Sequence, residues 1–197
     1  MSVTTGLIFF RHSLPAIDPA VPAREWHLSE EGLQRCRLLA VSLGNRNPAR
    51  IVSSLEPKAL ETAQMIATTI GMPFETAPGL HEHVRNREKY TDRKVFEASV
   101  RTFFAHPGLV VYGDESADQA HARFTQAVEG IQERYPGQTP LVIVSHGTVI
   151  SLFVARACGV DPYRVWKSLR MPCMVIISAS RPSVISLESP TPLSFIP

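Results

Sequence analysis

The residues of this sequence best suited to chemistry lie directly after two apolar segments. Arg11 and His12 follow the apolar run 7–10, and His146 follows the run 141–145. A neutral imidazole can act as a nucleophile or a base near neutral pH, and a guanidinium offers paired donors to phosphate or carboxylate. If both runs are strands of one parallel sheet, their carboxyl ends meet at one edge, where ligands of such sheets bind. We therefore expect the two imidazoles and the guanidinium to face one anionic ligand.

A third cation, Lys58, is expected in the first turn of a helix that begins near Pro57. The positive end of a helix dipole disfavours a cation at this position. An anionic ligand would remove the conflict, and the free N–H groups of a helix that opens near Thr148 would favour the same ligand. We therefore expect Lys58 to converge on the negative group that the other three residues face.

The composition sets limits on the protein class. The chain has 197 residues, 44% of them hydrophobic, 19% charged, with a formal net charge of +2. This length and composition predict a single domain over residues 1–197. The small charge argues against a nucleic-acid partner, and no segment reaches the roughly 20 apolar residues of a membrane span. The few, scattered cysteines are typical of a reducing compartment, so we expect a cytoplasmic protein without a membrane partner.

The periodicity of apolar residues predicts an α/β fold. Strand-like runs at 7–10, 50–53, 141–145 and 174–178 alternate with segments of helical period that begin after Ser29, near Pro57 and after Ser116. Repeated alternation implies a three-layer sandwich with a mostly parallel sheet and helices on both faces. Residues 81–107 depart from this pattern and predict an inserted basic segment that is helical over 95–104. An edge strand is expected near 184–187.

The order of the motifs along the chain resembles the histidine phosphatase superfamily, which has the phosphoglycerate-mutase-like fold. The strand and "FFRHS" resemble that family's Arg-His-Gly signature, and "LSEEGLQRC" at 28–36 is similar to its Leu-Thr-x-x-Gly helix start. "SSLEPKALETA" at 53–63 resembles its Ser-Ser-Pro-x-x-Arg segment, "LHE" at 80–82 its Leu-x-Glu, and "VSHG" at 144–147 its second histidine. Five such segments in order cover nearly the whole chain.

The resemblance implies a role for each candidate residue. His12 would be the catalytic nucleophile, attacking phosphorus and carrying the phosphoryl group as phosphohistidine. Arg11, Lys58 and His146 would bind the phosphate oxygens, and Glu82 would be the general acid and then the base. Glu82 needs a pKa raised towards neutrality for this task. The implied enzyme is a phosphomonoesterase for a small phosphorylated substrate, with no metal and no cofactor.

Two departures from the family pattern leave other functions open. Ser13 stands where the family has glycine, and Lys58 stands where it has a phosphate-clamping arginine, an exchange that is not conservative. A catalytically weakened phosphate-binding or regulatory module is therefore one alternative. A phosphoglycerate mutase-type phosphotransferase is another, although the apolar segment 14–17 favours hydrolysis and a substrate with an uncharged part.

Three further patterns could suggest other chemistry. His81 and His83 flank Glu82, but alternate residues without further ligands predict no metal site. "CGVDPYR" at 158–164 has the Cys-x5-Arg spacing of a thiolate phosphatase, yet its cysteine is expected to end a helix, with a new helix beginning after Asp161. The basic residues of the inserted segment either steer anions or form a solvated face. They are Arg85, Arg87, Lys89, Arg93 and Lys94.

Overall fold

The chain folds around one mixed β-sheet. The computed structural model describes residues 5–86, 88, 90–178 and 183–190. Its strands there are β1 (Thr5–Arg11), β2 (Arg50–Ser53), β3 (Glu75–Thr76), β4 (Leu141–Ser145), β5 (Cys173–Ser178) and β6 (Val184–Glu188). They lie in the order β3-β2-β4-β1-β5-β6. The first four strands are parallel, whereas β5 runs antiparallel to both of its neighbours, β1 and β6.

Local capping chemistry sets the ends of the helices. The hydroxyl of Ser29 accepts from the N–H of Gly32, Ser116 forms a capping box with Gln119, and Gly71 ends a helix in the left-handed region. The helices in the described part of the chain are α1 (Glu30–Gly44), α2 (Pro57–Ile70), α3 (Arg93–Ala105), α4 (Ala117–Arg134), α5 (Gly147–Cys158) and α6 (Pro162–Ser168). A 3-10 helix, Ala23–Glu25, lies between β1 and α1.

The helices cover the two faces of the sheet. Phe9 and Ile143 point into a core that is completed by residues of α3, α4 and α5. Ile8 and Phe10, on the opposite face of β1, pack with Val142 and with residues of α1 and α2. Alternate side chains of one strand therefore enter different cores, as a strand covered on both faces requires.

This architecture confirms the predicted three-layer α/β sandwich. The strands predicted at 50–53 and 141–145 have the observed bounds, and the segment predicted to be helical at 95–104 lies within α3. The direction of β5 was not predicted. Two helices, α5 and α6, join β4 to β5, so the chain re-enters the sheet at the edge where β1 ends, with Cys173 opposite Arg11.

Among the described residues, no helix combines the length and the apolar character needed to cross a lipid bilayer.

Candidate active site

The carboxyl ends of β1 and β4 bring two histidines together. Arg11 is paired with Ser145 in the parallel ladder, and the next N–H, that of His12, donates to the Ser145 carbonyl over 2.9 Å. His146 follows Ser145 directly, and the ring centroids of His12 and His146 lie 5.1 Å apart. The two imidazoles are 5% and 0% exposed. The strand register thus places both rings at one buried position on the edge of the sheet.

The environment of His12 leaves one ring nitrogen available for attack. Its Nδ1 lies 2.8 Å from the carbonyl oxygen of Ser13, an oxygen that can only accept, so Nδ1 carries the proton and Nε2 holds the lone pair. Burial, the neighbouring His146 and the cations Lys58 and Arg11 hold the pKa of His12 well below its usual range. His12 is therefore neutral near pH 7, which is the state a nucleophile needs.

His146 has one bonded and one unpaired ring nitrogen. Its Nε2 lies 2.9 Å from the hydroxyl of Ser54. Its Nδ1 is buried, has no hydrogen-bond partner in the part of the chain that the structure describes, and lies 3.7 Å from Oε2 of Glu56. Burial and the charge of Lys58 hold the pKa of His146 well below its usual range, although Glu82 acts in the opposite direction. The unpaired nitrogen is a position where a ligand atom could complete the hydrogen bonding.

Arg11 lies against the backbone of Gly147 and keeps one nitrogen free. A Cβ atom at Gly147 would come within 2.9 Å of the guanidinium carbon and of Nε, so any side chain at this position would displace the guanidinium. Nη1 donates to the carbonyl of Leu169, just before β5. Nε is buried and has no hydrogen-bond partner among the described residues. Arg11 is thus held through Nη1 and retains in Nε a donor that could bind an anion.

Lys58 is buried, and an acidic side chain already balances its charge. Its Nζ donates to the carbonyl of Ala23 over 2.6 Å and to Oε2 of Glu56 over 2.5 Å. The carboxylate of Glu56 therefore offsets the repulsion between the Lys58 ammonium and the positive end of the α2 dipole, the conflict noted in the sequence. The position of Lys58 in the first turn of α2 is consequently no evidence for a ligand by itself, although its ammonium does lie close to both histidines.

Glu82 lies beside the histidines on a loop that is held at several points. Its Oε1 accepts from the N–H of His83 over 2.9 Å and its Oε2 from the N–H of Thr148 over 3.2 Å. The guanidinium of Arg123, on α4, donates to the carbonyls of Gly79, His81 and Glu82, which fixes the backbone of the loop.

The pKa of Glu82 differs from the sequence expectation. Burial acts to raise it, but His146, Arg85 and the two backbone N–H donors together hold the pKa below its usual range. The sequence-based requirement was a raised pKa, and the folded protein does not meet it. The physical reason is that two N–H donors and a nearby guanidinium stabilise the carboxylate more than burial disfavours it.

Ser13, the first departure from the family pattern, does not fill the pocket. Its hydroxyl donates to the carbonyl of Gly32 at the start of α1 over 2.6 Å, and its N–H donates to the Thr62 hydroxyl over 3.0 Å. The side chain is therefore turned towards α1 and away from the histidine pair. Glu61, on α2, bonds His27 and the N–H of Leu28 and lies outside the pocket.

His83 and Cys158 have structural surroundings. The ring of His83 stacks on Phe103 at 4.1 Å between centroids, and its Nε2 lies 3.2 Å from the carbonyl of Glu115. Cys158 ends α5, and burial raises the pKa of its thiol, as expected of an unreactive cysteine. Among the described residues, no group of three or more histidine, cysteine or acidic side chains could hold a metal ion.

Arg85, three residues after Glu82 in the inserted segment, also lies near the pocket. The guanidinium of Arg85 lies 4.8 Å from the centroid of the Phe96 ring, and its charge acts on Glu82, His146 and Arg11. Arg87 and Lys89 of the same predicted basic stretch lie outside the described residues. Arg85 was singled out only as one of five basic residues, whereas Ser54 and Glu56 were not foreseen as parts of the site.

The pocket as a whole contains a free imidazole nitrogen, the cations of Arg11 and Lys58, a second imidazole and the carboxylates of Glu56 and Glu82. This set can transfer a phosphoryl group, because the cations and donors can stabilise phosphate oxygens while one imidazole attacks. The five residues that sequence analysis selected all lie at this edge of the sheet. They are Arg11, His12, Lys58, Glu82 and His146.

Comparison with known proteins identifies the family. Among solved structures, a mycobacterial hydrolase is 20% identical with a TM-score of 0.76, over 99% of this chain and 94% of that chain. A mycobacterial glucosyl-3-phosphoglycerate phosphatase is 20% identical with a TM-score of 0.74, over 95% and 98% of the two chains. A phosphoserine phosphatase mutant from Entamoeba histolytica is 18% identical with a TM-score of 0.72, over 94% and 97%.

No curated protein matches this chain closely in sequence. These structural similarities show a shared fold, whereas the family is identified from the sequence. The family model of the histidine phosphatase superfamily (branch 1) matches residues 7–185. Because this match spans both histidines and nearly all of the sheet, the chain belongs to the histidine phosphatase superfamily.

Proposed function

We propose that this protein is a phosphomonoesterase that works through a phosphohistidine on His12. The observation that carries the proposal is the hydrogen bond from Nδ1 of His12 to the carbonyl of Ser13. It leaves Nε2 with a lone pair in a buried pocket, and the ring of His146 lies 5.1 Å away. A neutral imidazole fixed in this tautomer is suited to attack phosphorus.

The reaction has two steps. First, Nε2 of His12 forms a bond to phosphorus while the bond from phosphorus to the leaving oxygen breaks, and the protonated carboxyl of Glu82 gives its proton to that oxygen. Then the Glu82 carboxylate takes a proton from water, the water oxygen bonds to phosphorus, and the bond to Nε2 breaks. One difficult displacement is thus replaced by two easier ones.

The cations and the second imidazole stabilise the charge on the transferring group. Arg11 offers the unpaired Nε, Lys58 its third N–H, and His146 the unpaired Nδ1. The loss of one such donor typically lowers the rate about 10²- to 10³-fold. In this proposal these side chains supply the charge stabilisation, so turnover requires neither a metal ion nor a cofactor.

The proposed substrate is a small phosphorylated molecule. Ile17, five residues after His12, and Leu55, next to Ser54, are both more than half exposed, so apolar side chains close in sequence to two site residues are accessible. We infer that the substrate has an uncharged or lipophilic part.

With a net charge of only +2, the protein is not expected to bind nucleic acid. We also propose a cytoplasmic location without a membrane partner, because the cysteines are few and unpaired.

Two alternatives make different demands on the pocket. A phosphoglycerate mutase-type enzyme must return the phosphoryl group before water intervenes, and the apolar segment 14–17 offers few polar groups to hold a second anionic group of its substrate. A weakened phosphate-binding module was suggested by Ser13 and Lys58, but the Ser13 hydroxyl bonds the carbonyl of Gly32. That orientation turns the hydroxyl away from the histidine pair, which favours turnover.

A phosphomonoester panel in the presence of a chelator tests the proposal. We expect phosphate release from at least one ester class, higher kcat/KM for aryl than for sugar phosphates, and no loss of rate when divalent ions are removed. The His12→Ala variant should release none. Tight phosphate binding without release from any ester would favour the binding module, and transfer to a second hydroxyl compound instead of water would favour the mutase.

A further inference from the structure

An acidic side chain occupies the pocket in which the phosphate is expected to bind. Glu56 lies at the N-terminal boundary of α2, and its side chain is only 12% exposed. A buried carboxylate opposes the binding of an anion, so its presence beside the proposed phosphate ligands needs a physical reason.

The two oxygens of Glu56 contact three of the proposed site residues. Oε2 lies 2.5 Å from Nζ of Lys58 and 3.7 Å from Nδ1 of His146. Oε1 accepts from the backbone N–H of Glu82 over 2.9 Å. A phosphate oxygen that reached both Lys58 and His146 would therefore lie close to Oε2.

The first consequence concerns the position of the lysine. A lysine carries its charge on a flexible stem and lacks the rigid fork of an arginine, so it reaches one place only when other groups hold it there. Two of the three N–H groups of Lys58 are bonded, one to the carbonyl of Ala23 and one to Glu56. The third remains for a ligand, with the ammonium already fixed.

The second consequence concerns the charge of the pocket. The positive charges of Arg11 and Lys58 are opposed by the negative charges of Glu56 and Glu82, while Arg85 adds one positive charge nearby. The two histidines add none in their neutral state. The pocket therefore attracts an anion much less than its cations alone would, and the phosphate left after hydrolysis is an anion that must leave.

We propose that Glu56 is a positioning residue, which fixes the ammonium of Lys58 and weakens the hold of the pocket on the phosphate product. The lysine then serves in place of an arginine only together with this carboxylate. The inference rests on the proposed function, since it assigns phosphate to this pocket.

The Glu56→Gln variant tests the inference, with inorganic phosphate as the probe at one fixed pH. The amide keeps an oxygen that can accept from the N–H of Glu82, and it removes the negative charge. We expect the inhibition constant and the calorimetric Kd for phosphate to fall about tenfold or more, because one opposing charge a few ångströms away is gone. We also expect kcat to fall, because the ammonium loses its anchor. A role in folding alone would not tighten phosphate binding.

The matched control is Glu61→Gln, on the same helix. The carboxylate of Glu61 bonds His27 and the N–H of Leu28 instead of the pocket, so this variant should leave phosphate binding and kcat unchanged. Unchanged or weaker phosphate binding in a folded Glu56→Gln protein overturns the inference.

A second pair of variants tests the coupling between the two side chains. Lys58→Met leaves the carboxylate of Glu56 without its partner, so phosphate binding should be nearly lost. Adding Glu56→Gln to Lys58→Met should restore part of the affinity, and a double variant that binds no better than the single one contradicts the inference. A wild-type protein that neither hydrolyses an ester nor binds phosphate refutes the proposed function instead.

Discussion

At the scale of single residues, the protonation of Glu82 is the tightest constraint on the proposed chemistry. A general acid must carry a proton when the leaving group departs. Burial acts to raise the pKa of Glu82, but His146, Arg85 and two backbone N–H donors outweigh burial and lower it. The negative charge of a bound phosphoryl group acts in the opposite sense and favours the protonated carboxyl. Substrate binding would therefore raise the pKa of Glu82 and favour the protonated carboxyl that a general acid needs.

The Glu82→Gln variant tests this role through the leaving group. An alkyl alcohol needs a proton to depart, whereas an aryl oxide with a low pKa does not. We expect kcat to fall about 10²- to 10⁴-fold for an alkyl phosphate, and the first step to be much less affected for an aryl phosphate. Rapid-quench measurement of alcohol release compares the two classes. Equal losses for both would mean that Glu82 does not protonate the leaving group.

Sequence reasoning selected residues well when a strand register positioned them. Arg11 ends β1, and His12 and His146 directly follow β1 and β4, whose parallel pairing brings the ends of the two strands together, so their meeting could be predicted. Glu56 could not, because a carboxylate at a helix N-terminus is ordinary and its contacts depend on how α2 and α5 approach each other. The direction of the Glu82 pKa likewise depends on backbone donors that only the folded loop supplies.

At the scale of elements, the start of α1 holds the segment that carries His12. The carbonyl of Leu14 accepts from the N–H of Ser29, and the carbonyl of Gly32 accepts from the hydroxyl of Ser13. A Cβ atom at Gly32 would lie 2.2 Å from the Leu14 oxygen, which no real structure tolerates. The helix can approach this closely only because position 32 has no side chain.

The Gly32→Ala variant is expected to lose both stability and activity. The added methyl forces α1 away from the catalytic segment, and overpacking of this kind costs about 1–3 kcal/mol. Gly130→Ala in α4 is the matched control, because nothing lies within 4 Å of its added Cβ. That change should stabilise the protein by about 0.5–1 kcal/mol. Urea unfolding and kcat/KM measure both, and a Gly32→Ala protein as stable and active as the control would contradict the described contact.

The elements themselves were largely predictable, because their signals are local. The capping box at Ser116 and the glycine after α2 mark helix ends in the sequence. The two-residue strand β3 and the antiparallel direction of β5 lacked such signals. Strand β3 is too short to show an alternation of apolar and polar residues. The direction of β5 follows from the way two successive helices return the chain to the sheet.

At the scale of the whole molecule, the two buried imidazoles link stability to pH. Burial is the largest cause that holds the pKa of His12 and of His146 well below the usual range. As the pH falls below about 6.5, histidines of the unfolded chain bind protons while these two in the folded protein do not. The stability that this difference supplies is fully present above that pH and is lost as the pH falls towards the folded pKa values.

We therefore expect the melting temperature to decrease on acidification from about pH 6.5 to about pH 5. The His12→Asn variant, which removes one of the two groups, should show a smaller decrease. Thermal unfolding by circular dichroism at several pH values measures both. A wild-type melting temperature that is flat or rises on acidification would show that the imidazoles are not held neutral by the fold.

The central claim, that Nε2 of His12 carries the phosphoryl group, is tested most directly by trapping the intermediate. The Glu82→Gln variant should accumulate it with a ³²P-labelled aryl phosphate, because the base for the second step is missing. After an alkaline quench we expect acid-labile, alkali-stable label on the peptide that contains His12, at close to one equivalent, and the same label in Glu82→Gln/Cys158→Ser. Label that persists in Glu82→Gln/His12→Ala, or that appears on another residue, would contradict the account.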